Sequence, residues 1–349
     1  MTGALPLINK LSPSLVLVTG ATGAVGPRVV HALHQAGYHI RTFSLDIPTT
    51  GMFLQNVEVE VGDITDESAV NKAMQGVDAV VHMAALLHVV NPPPEMREKY
   101  KRINVGGTAI VVDAARRAGV RRVVLFSTIA AYGPSFGRIL TENTPPCPDT
   151  FYAQTKLAAE KIVLEAKGAD GQQLGTVLRL GAVYGSRIKG NYERLTHALA
   201  RHRFIPIGNG FNRRTLVYDK DVAQAAVLAV SHPSAAGRLF NVTDGQFHTL
   251  NEIIEAICSA LGRKPPWLSL PLVPSRIIAE LIEKSGRAIG LKLPAISAMI
   301  DKYNEDVAVD GSLMKKELGF VSRYDLTAGW YDAIKEGKWD IYRDHEANI

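Results

Sequence analysis

The chain reads as an α/β protein built on a doubly wound parallel sheet, with a smaller, interleaved C-terminal lobe. Three observations predict this. Short β-rich runs alternate with helical patterns as far as about Gly133, the mark of successive βαβ units. A glycine-rich turn joins the first such run to the first helix. At 349 residues the chain is long enough to bury a full core and carry a second lobe.

The elements follow in order. Leu15-Val16-Leu17-Val18 is the first β-rich run, and Thr19-Gly20-Ala21-Thr22-Gly23-Ala24-Val25-Gly26 comes directly after it. A helical pattern from Val29 to Ala36 is closed by Gly37. Strand, glycine turn and helix is the context of a dinucleotide fingerprint. Glycines let the backbone turn tightly and approach a pyrophosphate, whose charge suits a helix N-terminus. Pro27 is compatible, because proline is tolerated in the first helical turn. The spacing is G-x-x-G-x-x-G rather than G-x-G-x-x-G. Gly20, Thr22, Gly23, Ala24, Val25 and Gly26 are therefore candidate cofactor contacts, against the plain alternative of an ordinary βα turn.

The next strand, His39 to Leu45, is expected to end beside an adenosine ribose. NAD sites place an acid there, and NADP sites prefer a basic group. Ser44 stands where the acid is expected. Asp46, two residues on, shares its side if the strand continues. No Lys or Arg follows directly; Arg28 and Arg41 are nearby, with a solvated surface as their plain alternative. The reading is NAD, with NADP as the alternative.

Further along, Tyr152 and Lys156 stand four apart, and Leu157 to Lys167 reads as a helix. Residues four apart share a helical face, so the phenol and the ammonium point the same way. The positive charge is expected to lower the phenol from its ordinary pKa of about 10. A tyrosine tuned toward neutrality exchanges a proton with an alcohol or a ketone. Taken alone, the spacing also arises by chance on an exposed helix. Thr176 to Leu180 reads as another sheet strand, and Leu239 to Val242 as a late strand returning to the sheet. The division expected is a dinucleotide domain over 14–180, with the late strand near 239–242, and a substrate lobe mainly over 181–338.

Further motifs stand between these: Gly62-Asp63-Ile64, His82-Met83-Ala84-Ala85, Asn104-Val105-Gly106-Gly107-Thr108, Ser127-Thr128 and Tyr132-Gly133. In this order and at these intervals the set closely resembles the extended short-chain dehydrogenase/reductases, the NAD-dependent epimerase/dehydratase group, over about residues 14–338. The resemblance implies a Rossmann-type domain and assigns roles. Tyr152 is the general acid/base. Lys156 tunes it and binds the nicotinamide ribose. Thr128 hydrogen-bonds the reacting oxygen. Asp63 and Ile64 sit by the adenine, Ala84 and Ala85 line the cofactor cleft, and Asn104 belongs to the cofactor site. It also implies a homodimer through the helices around Tyr152. On the residues alone, Asp63 also suits a cap for a helix starting near Glu67. Thr128 also suits a strand-end hydroxyl serving the backbone, and Asn104 a helix start.

The C-terminal half must supply specificity. Tyr184-Gly185-Ser186-Arg187 matches the loop that relatives carry after the preceding strand, although Leu180 follows Arg179 where relatives often have proline. Lys189, Asn191, Arg213 and Arg214 are candidate substrate residues, since guanidinium forks suit phosphate oxygens. The plain alternative for the arginine pair is a solvated turn. This half is most similar to bacterial nucleotide-sugar enzymes. Thr128 is followed by Ile129-Ala130-Ala131, which lacks the acidic pair that dehydration needs. The expected activity is a UDP-sugar 4-epimerase working through a 4-keto intermediate. A 4-keto-sugar reductase is one alternative. A 3β-hydroxysteroid or dihydroflavonol-type alcohol dehydrogenase/reductase is another, prompted by the apolar run Trp267-Leu268-Ser269-Leu270-Pro271-Leu272. A cofactor-sensing regulator is expected to lose Tyr152 or Lys156, and both are present.

Composition bounds the rest. The formal charge is +5, from 39 basic and 34 acidic residues, with no basic run of the kind that binds nucleic acid. Only Cys147 and Cys258 are present, which sets aside a disulfide framework or a cysteine metal cluster. Residues 1–13 lack a signal peptide's apolar core, and no run approaches the ~18 apolar residues of a membrane span. A cytoplasmic protein without membrane insertion is expected. Trp267 to Ile300, which mixes prolines, Leu and Ile with Lys284, Arg287 and Lys292, reads as a lobe helix or a membrane-surface segment.

Overall fold

The computed structural model describes residues 15–88, 93–288, 291 and 295–337. The outer domain limits at 14 and 338, and Lys292, lie outside the described residues.

The first half alternates strands and helices. It runs β1 (Leu15–Thr19), α1 (Gly26–Gln35), β2 (His39–Ser44), β3 (Glu58–Val61), α2 (Glu67–Ala73), β4 (Ala79–His82), α3 (Met96–Tyr100) and α4 (Thr108–Arg117). Then come β5 (Arg122–Thr128), β6 (Ile139–Leu140), α5 (Phe151–Glu165) and β7 (Gly175–Leu180). The second half runs β8 (Ala182–Tyr184), α6 (Asn191–Ala200), β9 (Arg213–Arg214), β10 (Leu216–Tyr218), α7 (Asp219–Ser231), β11 (Arg238–Val242) and β12 (His248–Thr249). It closes with α8 (Leu250–Ala260), α9 (Leu272–Ala288), α10 (Ile296–Asn304), β13 (Ala308–Val309), α11 (Ser312–Leu318) and α12 (Leu326–Glu336).

Seven strands form one parallel sheet in the order β3-β2-β1-β4-β5-β7-β11. The central strands are apolar on both sides because helices cover both faces. Val16 and Val18 of β1 point to one face, with Val29 and Leu33 of α1 and Val222 and Ala226 of α7. Leu17 points to the other, with Val111 and Ala115 of α4 and Ala159 and Val163 of α5. A third apolar cluster holds the lobe together, where Tyr184, Leu216 and Tyr218 meet Ile253 and Ile257 of α8 and Trp330 of α12.

This topology places the site. The chain order reverses between β1 and β4, which opens a crevice at the carboxyl ends of the strands. The glycine turn follows β1, Ala84 and Ala85 follow β4, and Thr128 ends β5. Three two-stranded ribbons, β8 with β10, β9 with β12 and β6 with β13, tie later chain to this edge.

Candidate active site

The glycine turn is shaped by close backbone approach. Gly20 has φ +70°, and a Cβ there would lie 2.7 Å from the Ala84 nitrogen. A Cβ on Gly26 would lie 2.0 Å from the Ala21 carbonyl oxygen. A side chain at Gly20 would push the turn away from the β4 loop, and one at Gly26 would force the turn itself open. No side chain caps α1, and no acid stands in its first turn. The positive end of the helix is thus left for an anion. These residues fit the diphosphate of a dinucleotide, and Ala84, just past β4, packs directly against Gly20.

The adenosine end corrects two expectations. β2 stops at Ser44, and Leu45 and Asp46 form a bend, so the argument that Asp46 shares the side of Ser44 does not hold. Ser44 is buried, and its hydroxyl accepts from the Thr22 amide at 3.2 Å, tying the strand end to the glycine turn. Asp46 is exposed beyond it. The second correction concerns Asp63. It receives the Thr65 amide at 2.8 Å in a local turn, whereas the cap of α2 is Asp66, which accepts from Ser68 and Ala69. Ile64 is buried against Gly107. The two nearby arginines are not solvated. Arg41 pairs with Glu58 at 2.7 Å, and Arg28 with Glu336 and Asp219. Neither guanidinium is held in reserve for a ribose 2′-phosphate.

A buried polar chain joins this wall to the catalytic helix. The register of β1 on β4 sets Thr19 beside His82, and Thr19 Oγ1 lies 2.7 Å from His82 Nδ1. His82 Nε2 lies 3.0 Å from Thr108 Oγ1, whose own hydrogen goes to the Asn104 carbonyl at 2.7 Å. That accounting makes Nε2 the protonated nitrogen and Nδ1 the acceptor. Burial, reinforced by the charge of Lys156, holds the ring neutral with a pKa of about 3. Asn104 is not a helix start. It lies within a π-helical segment, Lys101–Gly107. Its side chain accepts from the Leu86 amide at 2.7 Å, donates to the Leu86 carbonyl at 3.1 Å and donates to Thr155 Oγ1 at 3.1 Å. Thr155 in turn bonds the Tyr152 carbonyl at 2.8 Å. Asn104 therefore clamps the β4 loop to the helix that carries Tyr152.

That helix, α5, starts earlier than its sequence pattern indicates. Thr150 caps it through the Ala153 amide, so Tyr152 and Lys156 both lie inside it and share a face. Lys156 is 3% exposed, and burial lowers its pKa to about 8 although Glu160 works the other way. The phenol behaves opposite to expectation. Burial, with Tyr100 as the second cause, pushes Tyr152 up to about 12. Loss of solvation governs this phenol, and Lys156 is not among the groups that move it. Thr128 accepts the Ala130 amide at 3.2 Å and so does serve the backbone. That bond uses its oxygen, and the O–H stays available to a reacting oxygen.

Two features of the site were missed by the sequence reading. Glu160 continues the four-residue spacing of Tyr152 and Lys156. It grips Arg179 of β7 with Nε at 2.9 Å and Nη2 at 2.6 Å, and accepts from Ser127. The Arg179 guanidinium covers the Tyr132 ring at 4.4 Å, and Tyr132 donates to Asn241 at 2.8 Å. The spacing itself was the available signal. The second is His88, whose ring meets the edge of Tyr152 at 5.9 Å between centroids. Its pKa is lowered by burial, then by Lys302, against Asp149. No local pattern marks it.

In the segment expected to meet substrate, the arginine pair is no solvated turn. Arg213 is held by Asp306, with Nη2 at 2.7 Å and Nε at 3.1 Å, and also donates to the Gly137 carbonyl. Arg214 donates to the carbonyls of Lys302 and Tyr303 at 2.7 and 2.8 Å. Asn212 donates to Tyr303 and Glu305. Lys189 and Asn191 are exposed, in the loop after β8 and at the first residue of α6. Among the described residues, neither hydrogen-bonds Tyr152, Thr128 or Arg214.

This fold and site define an NAD-dependent oxidoreductase of the extended short-chain dehydrogenase/reductase type. The sequence profile of the NAD dependent epimerase/dehydratase family matches residues 16–243, and the chain belongs to that family. It is 27% identical to a UDP-glucose 4-epimerase of Vibrio cholerae, over 92% of this chain and 95% of the relative. It is 25% identical to the N-acetyl-alpha-D-glucosaminyl-diphospho-ditrans,octacis-undecaprenol 4-epimerase of Escherichia coli O157:H7, over 93% of this chain and 97% of that one. A solved structure of MoeE5 in complex with UDP-glucose and NAD superimposes with a TM-score of 0.73 at 25% identity, covering 93% of this chain and 99% of the other.

Proposed function

We propose that the protein is a 4-epimerase of a diphosphate-activated sugar, a UDP-sugar in the first instance. The observation that carries this is the packing of α5, which carries Tyr152 and Lys156 on one face, against β5 and the turn that follows Thr128, with Ile129-Ala130-Ala131 in place of acidic groups. Tyr152 takes the proton of the sugar 4-hydroxyl and later returns it, while Thr128 donates to the same oxygen. Lys156 holds the nicotinamide ribose and compensates the phenolate. NAD, when bound, supplies the hydride acceptor and, in its oxidised form, a positive ring that favours the phenolate. The 4-keto sugar then turns over within the cleft before the second transfer. The relatives that act on UDP-glucose and on a diphospho-linked N-acetylglucosaminyl group support this reading. We place the specificity-determining surface in the lobe after residue 180, and the diphosphate at Arg214, which has no carboxylate ion pair among the described residues, rather than at Arg213.

The test is a panel of UDP-, GDP- and dTDP-sugars assayed with and without added NAD. An epimerase converts one C4 isomer to the other without net accumulation of reduced cofactor. Stoichiometric consumption of reduced cofactor by a 4-keto sugar would instead identify a ketoreductase. Indifference to every nucleotide sugar, with turnover of a steroid alcohol, would replace this reading by the apolar-substrate one.

A further inference from the structure

The helix α9 is amphipathic the wrong way round for a soluble lobe. At ~3.6 residues per turn, Val273, Ile277, Leu281, Ile278 and Ile282 fall on one half of its circumference. That half faces outward: Val273 is 66% exposed, Ile277 52%, Ile278 57% and Leu281 57%. The charged residues Arg276, Glu280 and Glu283 lie on the other half. Arg276 pairs with Asp301 of α10 at 2.8 Å, and Glu283 accepts from the Ser297 amide at 2.7 Å. A lobe helix normally turns its apolar stripe to the core and its charges to water. Just ahead of α9, Trp267 is 92% exposed and Leu268 stands out beside it. No helix among the described residues is long and apolar enough to cross a membrane.

We propose that α9, with Trp267 and Leu268 ahead of it, docks on the surface of an anionic bilayer and sets the catalytic cleft beside substrates held in that surface. Apolar helix faces of this kind bury into the headgroup boundary, and tryptophan prefers that zone. The acids nearest the face, Glu280 and Asp301, are both held by Arg276, which leaves the exposed charges of Lys284, within the apolar half, and of Lys264, three residues ahead of Trp267. They complement lipid phosphates, whereas a two-fold contact between copies of the chain would set this face against itself. The connection to the cleft is short. α9 packs on α10, and Arg214 holds the carbonyls of Lys302 and Tyr303 at the end of α10. The substrate class this adds is a sugar carried on a lipid diphosphate. That half of the proposal rests on the cleft being a site for a diphosphate-activated sugar.

The full chain is sedimented with vesicles of phosphatidylglycerol and phosphatidylethanolamine, and separately with pure phosphatidylcholine. The wild type is expected to pellet with the anionic vesicles at low salt. Ile277→Asp combined with Leu281→Asp should lower that partition by about tenfold or more, the effect of withdrawing two apolar side chains from contact. Circular dichroism should be unchanged, as should turnover of a soluble UDP-sugar. On a sugar diphosphate anchored by a lipid tail in the vesicles, the double variant should lose kcat/KM by a similar factor. Wild type left in the supernatant overturns the docking face. So does a wild-type dimer that the double variant dissolves while vesicles have no effect. Equal loss on soluble and vesicle-borne sugar overturns the delivery role. If the wild type pellets but turns over neither kind of sugar, the docking face stands and the reading of the cleft fails.

Discussion

The two walls of the cleft are held in place by different means. On the cofactor wall, position comes from backbone packing and from a closed polar chain. Gly20 lies against Ala84, and Thr19, His82, Thr108, Asn104 and Thr155 pass hydrogen bonds to the backbone of Tyr152. On the substrate wall, the polar groups are themselves the fasteners. Asn212, Arg213 and Arg214 hold residues 302–306 against β9. The difference has a consequence for experiment. At the cofactor wall, the bond that holds Tyr152 in the chain of contacts runs to its backbone carbonyl and leaves the reacting hydroxyl out of the fastening. At the substrate wall, one side chain serves the fold and, in the proposal, the ligand.

The largest expected effect lies on the first wall. Tyr152→Phe removes the proton-transferring hydroxyl and should lower turnover by ~10²–10⁴-fold while leaving NAD affinity nearly intact. Activity within threefold of wild type, by the same estimate, would reject Tyr152 as the acid/base. The pH profile sharpens this. Lys156 has its pKa lowered from its ordinary value to about 8, so it is charged below that pH and neutral above it. If its charge supports the phenolate, kcat/KM should fall as pH rises through about 8, and Lys156→Arg should remove that alkaline limb. A limb that persists in the arginine variant belongs to another group.

The next effect is on stability. Glu160 and Arg179 are both buried, and Glu160→Ala would leave the guanidinium without its carboxylate. Breaking a buried pair from one side costs roughly 3–5 kcal/mol, so the urea midpoint should fall sharply at constant slope. Glu160→Ala combined with Arg179→Met should recover much of it. A single-variant loss below about 1 kcal/mol would mean that water reaches the pair, which then behaves as a surface one.

How far the sequence exposes all this depends on distance along the chain. The sheet was legible because strand and helix periods are local. The glycine turn and the Tyr152–Lys156 pair were legible for the same reason. The Arg179 network was not, since Glu160 is nineteen residues away and Asn241 lies 109 residues from Tyr132. The π-helical segment around Asn104 leaves no trace in apolar spacing. The strand carrying Ser44 ends one residue sooner than its apolar content indicates, which takes Asp46 off the pleat that Ser44 occupies. The fate of the arginine pair was hidden too, because its partners lie about ninety residues on.

That pair supplies the next test, and it asks whether one residue can serve fold and ligand together. Arg214→Ala should raise the KM for a nucleotide sugar by about one to two decades, the size of a lost charge-assisted contact, with NAD affinity unchanged. Arg213→Ala removes a partly exposed pair with Asp306, in which the arginine's pKa is raised and the acid's lowered by their mutual hydrogen bonds, together with an exposed bond to the Gly137 carbonyl. It should cost about 0–1 kcal/mol of stability and leave KM alone. The reverse pattern would move the diphosphate to Arg213. No change in either variant would remove it from this ribbon.

The smallest effect returns to the cofactor wall, at an exposed acid. Asp46 lies exposed just past β2, outside the packed turn that fixes Ser44. A carboxylate there repels a ribose 2′-phosphate through solvent, and at about 4 Å in water such a repulsion amounts to about 1 kcal/mol. Asp46→Asn should therefore narrow the preference for NAD over NADP by about fivefold, with little change in NAD affinity itself. The arginines that would otherwise welcome the extra phosphate stay engaged, Arg41 by Glu58 and Arg28 by Glu336. The variant should weaken the discrimination without inverting it. Comparing the two cofactors' binding constants at low and high salt checks the cause, because a repulsion carried through solvent fades with ionic strength. A preference that ignores both the substitution and the salt would place the discrimination in the packed turn instead, where Ser44 fixes the distance between β2 and the glycine loop.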